Sequence, residues 1–204
     1  MTIHLHKNDL PDNLTFSGAV AVDSETMGLN PLRDKLCLVQ LCGSDGDAHL
    51  VQLDRSSYDA PNLKNLLADP AVEKIFHFAR FDFAVFRQYL GVETKPIYCT
   101  KIASRLVRTY TDRHGLKELV RELIGVEMSK QQQSSDWGAA ELSDSQKEYA
   151  AADVIYLHEI KSQLDQMLER EGRTGLARAC FGFLPARCYL DLAGWDDVDI
   201  FSHS

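Results

Sequence analysis

Residues 19–31 read AVAVDSETMGLNP, an apolar strand that runs into two acids and then into a turn. Successive side chains of a strand point to opposite faces, so Asp23 and Glu25 must lie side by side on one face. Two like charges this close repel each other. The pattern therefore indicates either a strand that ends in a solvated turn or a pair of carboxylates that hold a divalent cation such as Mg²⁺. Acids elsewhere in the chain must decide between the two.

The composition predicts one globular domain, residues 1–204, with 45% hydrophobic and 25% charged residues. The net charge of −8 argues against indiscriminate binding to long nucleic acid, which depends on many contacts between basic side chains and phosphates. The N-terminus lacks a signal-peptide pattern and no apolar run is long enough to span a bilayer, so we expect a cytoplasmic protein without membrane contact. The five cysteines contain no C-x-x-C pair, which predicts neither a disulfide framework nor a zinc ribbon.

Short runs rich in Val and Leu predict five strands. They are residues 18–24, 35–43, 47–54, 72–78 and 97–99. The first three are close enough to form an antiparallel meander, and a predicted helix at 62–69 allows a crossover to the fourth. From Thr100 onward the spacing is helical, with a long run over 143–172 that begins with a Ser143–Gln146 capping box. We expect an α/β fold with a mixed five-stranded sheet flanked by helices, and a final apolar segment broken at Pro185.

Three more residues have the side chains and spacing of an active site. Asp82 follows the fourth predicted strand, in the first turn of a helix, where the helix dipole alone would also favour an acid. Tyr149 and Asp153 are four residues apart in the long helical run and therefore share a face. Each signal is weak alone, because Tyr149 could be a packing residue and Asp153 a surface acid.

Together, these residues resemble the three motifs of the DEDDy 3′–5′ exonucleases of the RNase D type, a branch of the RNase H-like superfamily. The resemblance covers order, spacing and context, and includes residues 134–154, SSDWGAAELSDSQKEYAAADV. It implies that the four carboxylates hold two divalent ions, Mg²⁺ or Mn²⁺, and that Tyr149 holds the attacking water while the metal supplies most of its acidification. The four carboxylates are Asp23, Glu25, Asp82 and Asp153.

The length of the chain, its first residues and residues 23–41 are similar to the nanoRNase C (NrnC) enzymes of alphaproteobacteria. That resemblance implies a ring-shaped homo-octamer that degrades very short RNAs, especially dinucleotides such as pGpG. The sequence ends where the C-terminal domains of RNase D would begin, so we expect no HRDC domain. We expect the apolar C-terminal helical segment, residues 175–204, in the subunit interface. The basic stretch 95–121 could bind a 5′-phosphate or pair with the acidic tail of a neighbouring subunit.

Several polar and apolar residues near the acids are candidates for substrate binding. Leu29 follows Glu25 by four residues and could wedge between two bases, or it could pack on the core. The full set is Met27, Gly28, Leu29, His77, Phe81, Gln132, Ser135 and Trp137. Two other functions stay open at this point: a broader RNase D-like exonuclease that acts on longer RNA or duplex DNA, and a non-catalytic nucleic-acid-binding or scaffold module.

Overall fold

A mixed six-stranded sheet forms the centre of the computed structural model, which describes residues 1–129, 131–132 and 134–203. The strands are β1 (Ile3–Lys7), β2 (Ala19–Thr26), β3 (Leu36–Cys42), β4 (Ala48–Gln52), β5 (Glu73–Phe76) and β6 (Ile97–Cys99). Their order across the sheet is β1-β4-β3-β2-β5-β6. Strands β2, β3 and β4 form the predicted antiparallel meander, whereas the β1–β4, β2–β5 and β5–β6 pairs are parallel. The prediction of an α/β fold with a mixed sheet is confirmed.

The predicted strand count is wrong by one, because β1 was missed. Its sequence IHLHK alternates apolar and polar residues, but it is only five residues long and lacks the Val- and Leu-rich run by which the other strands were predicted. The strand pairs with β4 from Ile3 opposite Ala48 to Lys7 opposite Gln52, partners that are remote in sequence. Such an edge strand is specified by its neighbour more than by its own composition.

Seven helices cover the sheet in the described part of the chain. They are α1 (Pro61–Ala68), α2 (Ala79–Val85), α3 (Thr100–Val107), α4 (Leu116–Leu119), α5 (Asp144–Ile155), α6 (Leu157–Arg170) and α7 (Thr174–Leu192). Helices α2 and α4 each continue into a π-helical turn. The predicted capping box at Ser143 and Gln146 is confirmed at the start of α5. Among the described residues, no helix is both long and apolar enough to cross a membrane.

Two details of the helical half differ from the prediction. The run over 143–172 is divided at Tyr156, where the backbone (φ −93°, ψ −9°) separates α5 from α6. Conversely, Pro185 lies inside α7 and does not end it, so the predicted break is wrong. Proline removes one backbone donor, but the packing of Phe181, Leu184 and Cys188 into the core holds the helix together on both sides of it.

Helices pack against both faces of the sheet. Helix α5 packs against β3 and β4, while α2, α3, α6 and α7 pack against one another, and all but α3 also contact the β5–β6 side of the sheet. Every residue of β3 is buried, as expected for an interior strand covered on both faces. A second, smaller cluster of buried apolar side chains lies under α5 and includes Leu38, Leu50 and Trp137.

Lys74 is a fully buried lysine in β5 that holds three loop carbonyls together. Its ammonium donates hydrogen bonds to the backbone oxygens of Asp69, Val72 and Lys95, the last two at 2.7 Å. Burial lowers the pKa of Lys74 to about 8.

The variant Lys74→Met is expected to lower the free energy of unfolding by about 3 kcal/mol, because three buried carbonyls lose their donor. Urea unfolding of Lys74→Met measures the loss, with Lys64→Met on α1 as the control. Equal stabilities of the two variants would contradict a structural role for Lys74.

Candidate active site

The C-terminal half of β2 is open on one edge. The strand pairs with β5 only over residues 19–21, but with β3 over residues 21–26. Asp23 and Glu25 therefore lie past the last β5 pair, opposite Gln40 and Leu38 of β3, with a register shift just after Glu25. The free edge leaves room for side chains from two helices.

Three carboxylates meet at this edge. Asp23, Glu25 and Asp153 of α5 each offer an oxygen within 4.8 Å of the other two. The structure thus places Asp23 and Glu25 on one face, as the alternation of a strand requires, and brings Asp153 to them across more than a hundred residues. Oxygen ligands at this spacing suit a divalent cation such as Mg²⁺.

Asp82 lies close enough to this group for its charge to raise the pKa values of Asp23 and Glu25. Strand β5 ends at Phe76, and Phe78 adopts a left-handed backbone conformation (φ 74°) that turns the chain into α2. The Asp82 carboxylate is 2% exposed and accepts a hydrogen bond of 2.6 Å from the Ser24 hydroxyl. Ser24 stands between the two acids of β2 and was missed in the sequence, where only its place in D-S-E could have pointed to it.

The four acids carry charge that the described residues do not compensate. Burial raises the pKa of Asp23 well above its usual range, and the charges of Asp82, Asp153 and Glu25 add to that effect. Burial and the charges of Asp153 and Asp82 raise the pKa of Glu25 to about 9. Burial also raises the pKa values of Asp82 and Asp153 to about 7. In the described part of the chain, none of the four acids forms an ion pair with a basic side chain.

Tyr149 lies one helical turn before Asp153 on α5 and faces the acids. Burial, followed by the charge of Asp153, raises the pKa of Tyr149, so its hydroxyl keeps its proton at neutral pH. The Tyr149 ring packs against Trp137, with 6.0 Å between ring centroids. Trp137 is 3% exposed and belongs to the apolar cluster under α5, so it contacts the site through Tyr149.

The loop after β2 presents two apolar side chains beside the acids. Met27 is 56% and Leu29 is 87% exposed, so Leu29 does not pack on the core. Gly28 lies between them, and a Cβ there would come within 2.3 Å of Asp34 Oδ2, so that a larger residue would displace the Asp34 side chain. The same carboxylate accepts a hydrogen bond from the Asn30 backbone N–H, and Asp34 therefore fixes the shape of the loop.

His77 is held in one tautomer next to α2. The Thr100 hydroxyl donates to the Phe76 carbonyl, so it accepts from His77 Nδ1 at 2.9 Å. Burial, with a smaller effect of Lys101, lowers the pKa of His77 to about 3. The imidazole is therefore neutral, and its Nε2 has no partner within the described residues. Phe81, one residue before Asp82, is half-buried against the core.

The remaining predicted substrate residues lie in the segment before α5. The Ser135 hydroxyl accepts from Gln146 Nε2 at 3.1 Å, and the Ser135 N–H donates to the Gln132 carbonyl at 3.0 Å. These bonds tie the segment to the capping box of α5 and so to Tyr149. The structure places Gln132 and Ser135 in one turn, half-buried.

The carboxylate of Asp191 joins helix α7 to α2, the helix that carries Asp82, and we call this contact the Asp191 clamp. Arg80 donates two hydrogen bonds to the Asp191 carboxylate at 2.6 and 2.7 Å. Arg187 donates to the same carboxylate at 2.6 and 3.0 Å. The Asp191 side chain is only 9% exposed, so the clamp is shielded from water.

The variant Asp191→Asn is expected to lower the free energy of unfolding by about 2 kcal/mol, because two guanidinium groups lose a shared anion. Urea unfolding checks this, and Asp196→Asn, in the same C-terminal segment, is the control because its described partners contact its backbone. If both variants kept wild-type stability, the Asp191 clamp would not contribute to the stability of the fold.

Comparison with known proteins matches this fold and site to nucleases. The model of a 3′–5′ exonuclease domain family matches residues 6–169, and the chain belongs to that family. The chain is also 56% identical to *Brucella melitensis* NrnC with bound Mg²⁺, over the full length of both chains, with a TM-score of 0.94. The same *Brucella* protein bound to pGG gives 57% identity, full coverage of both chains and a TM-score of 0.95. The predicted resemblance to the RNase D type and to NrnC is confirmed.

Ribonuclease D is a second group of relatives. The enzyme of *Acidiphilium cryptum* is 37% identical over 164 residues, which cover 80% of this chain and 41% of that protein. The chain thus spans about two fifths of the length of the ribonuclease D that it matches.

Proposed function

We propose that this chain is a metal-dependent 3′–5′ exoribonuclease that hydrolyses very short RNAs, especially dinucleotides such as pGpG, and releases nucleoside 5′-monophosphates. The observation that carries the proposal is the group of Asp23, Glu25 and Asp153 oxygens within 4.8 Å, next to the buried Asp82. The *Brucella* relative bound to pGG supports the choice of a short substrate.

The acids fit two divalent ions, Mg²⁺ or Mn²⁺. The four carboxylates lack basic partners in the described residues, and when deprotonated they would provide four negative charges, which two such ions would neutralise. The ligands would be Asp23, Glu25, Asp82 and Asp153. When bound, the two ions activate the attacking water and stabilise the leaving 3′-oxygen.

The neighbouring side chains would orient the substrate and the water. Tyr149 would keep its proton, and Trp137 would hold its ring in place. Its hydroxyl would form a hydrogen bond with the water beside Asp153, either as the donor or as the acceptor. Leu29 and Met27 would contact the bases, because both are exposed at the rim of the acidic site. His77 would lie beside the substrate as a neutral imidazole held by the Thr100 hydroxyl.

The other predicted substrate residues would act within this arrangement. Phe81 and Gly28 shape the helix and the loop beside the acids. Gln132 and Ser135 would hold a phosphate or a base from the segment before α5. Trp137 is buried, so we assign it to positioning Tyr149.

Assembly as a homo-octamer of single-domain chains in the cytoplasm is part of the same proposal. Helix α7 and the segment after it expose several large apolar side chains that a subunit contact would cover. They are Leu176, Phe183, Tyr189, Trp195, Val198, Ile200 and Phe201. Light scattering tests the mass, for which the proposal expects eight chains.

Broader activity on longer RNA or on DNA is a second candidate, favoured by the likeness to ribonuclease D. Turnover of 5′-labelled RNAs of two to seven nucleotides with Mg²⁺ or Mn²⁺ decides between them, with Asp82→Ala as the inactive control. Much faster cleavage of the dinucleotide than of the heptamer supports the proposal. Equal cleavage of all lengths favours the broader exonuclease, and no hydrolysis of any RNA would contradict both.

Metal binding is expected to stabilise the protein. At about a hundred times its dissociation constant, a bound ion adds about 2.7 kcal/mol, which raises the Tm of a chain of this size by about 5 to 10 °C. Thermal unfolding with Mg²⁺ and with EDTA measures the shift. The variant Asp153→Asn should lose most of it, and an unchanged shift in that variant would place the metal elsewhere.

A further inference from the structure

A cavity of about 760 Å³ borders the acidic site but is not lined by any of its four acids. Its wall includes Met27, two residues past Glu25, and Trp137, which packs against Tyr149. Three basic residues also line it, Lys7, Lys35 and Arg55. We call this cavity the basic pocket. Its volume falls in the range of small-ligand sites, about 300 to 1,000 Å³.

The basic residues of the basic pocket form no ion pair with the described residues. Lys7 Nζ donates to Gln52 Oε1 at 2.5 Å and to the Ala140 carbonyl at 3.1 Å, both uncharged acceptors. Lys35 is exposed. In the described part of the chain, none of the three basic residues forms an ion pair. The pocket therefore concentrates positive charge in a chain whose net charge is −8.

Arg55 is held in place at the wall of the pocket. Its Nη2 donates to the Gly138 carbonyl at 2.7 Å, and its Nη1 lies 3.2 Å from Met27 Sδ. Gly138 leaves the space for it, because a Cβ there would come within 2.6 Å of Arg55 Nη1. A guanidinium fixed in this way binds an anion with little further loss of conformational freedom.

The one carboxylate that lines the pocket is already occupied. Asp54 accepts hydrogen bonds from the hydroxyls of Ser56 and Ser57 and from the Ser56 backbone N–H. The Asp54 carboxylate is thus engaged in hydrogen bonds within its own loop. Among the lining residues there are thus three cations and one carboxylate, while the Asp136 carboxylate lies near Arg55 at Gly138, outside the lining.

We propose that the basic pocket binds a phosphate group of a nucleotide, with Lys35 and Arg55 as the principal ligands. The choice of a nucleotide over another anion rests on the proposed function, because the pocket opens beside the acids that would hold a nucleic acid. Arginine and lysine are the usual partners of phosphate oxygens. The phosphate comes either from the RNA that also occupies the acids or from a free nucleoside monophosphate.

A fluorescence titration tests the pocket directly, because Trp137 lines it. Inorganic phosphate and AMP are titrated into the Trp195→Phe protein in EDTA, so that Trp137 is the remaining tryptophan and no hydrolysis occurs. Saturable binding is expected, weakened about tenfold by Lys35→Gln and by Arg55→Gln. Lys64→Gln, the same change on α1, should bind as the parent does. Equal affinity in all variants, or no saturable binding, overturns the proposal.

Steady-state kinetics with Mg²⁺ separate the two sources of phosphate. If the phosphate belongs to the RNA, Lys35→Gln raises KM for RNA and leaves kcat unchanged. If it belongs to a free nucleotide, Lys35→Gln weakens inhibition by AMP and leaves KM for RNA unchanged. A changed molecular mass of the variants together with unchanged phosphate titrations would assign the pocket to a subunit contact and overturn the proposal. The titration needs no catalysis, so its failure and a failure of the nuclease assignment are distinguishable.

Discussion

Replacing Asp23 by Asn is expected to lower dinucleotide turnover by about a thousandfold, which corresponds to about 4 kcal/mol of transition-state stabilisation. Asp23 lies within the three-carboxylate group and feels the charges of all three other acids. The amide keeps the shape of the side chain but removes a negative charge that would hold the cations. Initial rates at saturating Mg²⁺ measure the effect.

Although Asp23→Asn is expected to lose activity, it is not expected to lose stability in the absence of metal. Burial and the neighbouring acids raise the pKa of Asp23, which means that its charge is unfavourable in the metal-free fold. In EDTA, Asp23→Asn should therefore be at least as resistant to urea as the wild type. Asp144→Asn, an exposed acid at the start of α5, is the matched control and should change neither property. Wild-type turnover of the Asp23→Asn protein would contradict the assignment of Asp23 to the active site.

Replacing Tyr149 by Phe is expected to lower kcat by about a hundredfold with little change in KM. The ring would keep its contact with Trp137, and only the hydroxyl beside Asp153 would be lost. Because burial raises the pKa of Tyr149, the hydroxyl would act as a neutral group in its proposed role of orienting water, and the loss should be similar from pH 6 to pH 9.

Tyr156→Phe, at the end of the same helix, is the control for this prediction. It removes a hydroxyl from α5 without touching the acids. If Tyr149→Phe instead raised KM and left kcat unchanged, Tyr149 would be a substrate-binding residue. If it left both unchanged, the role in orienting water would be wrong.

Local sequence patterns were sufficient to place the acids. The alternation of residues 19–26 puts Asp23 and Glu25 on one face of the strand, and the helical spacing puts Tyr149 and Asp153 on one face of a helix. Both arrangements appear in the structure. Each depends only on neighbouring residues and on the period of one element. The meander of β2, β3 and β4 was likewise predictable from short connections.

Features that depend on distant partners were not predictable in this way. Strand β1 is fixed by its pairing with β4, and its short segment IHLHK lacks the Val- and Leu-rich run that predicted the other strands. The hydrogen bond from Ser24 to Asp82 joins residues 58 positions apart, and neither segment contains a local pattern that predicts this pairing. The burial of Trp137 against Tyr149 also arises only when the segment before α5 folds onto the sheet.

We propose that four acids of this chain hold two divalent cations at the scissile phosphate. The most direct measurement is anomalous diffraction from crystals of the Tyr149→Phe variant grown with Mn²⁺ and a dinucleotide. Two Mn²⁺ peaks per chain are expected, bounded by the carboxylates of Asp23, Glu25, Asp82 and Asp153. Peaks elsewhere, or no peak among these four acids, would contradict this proposal.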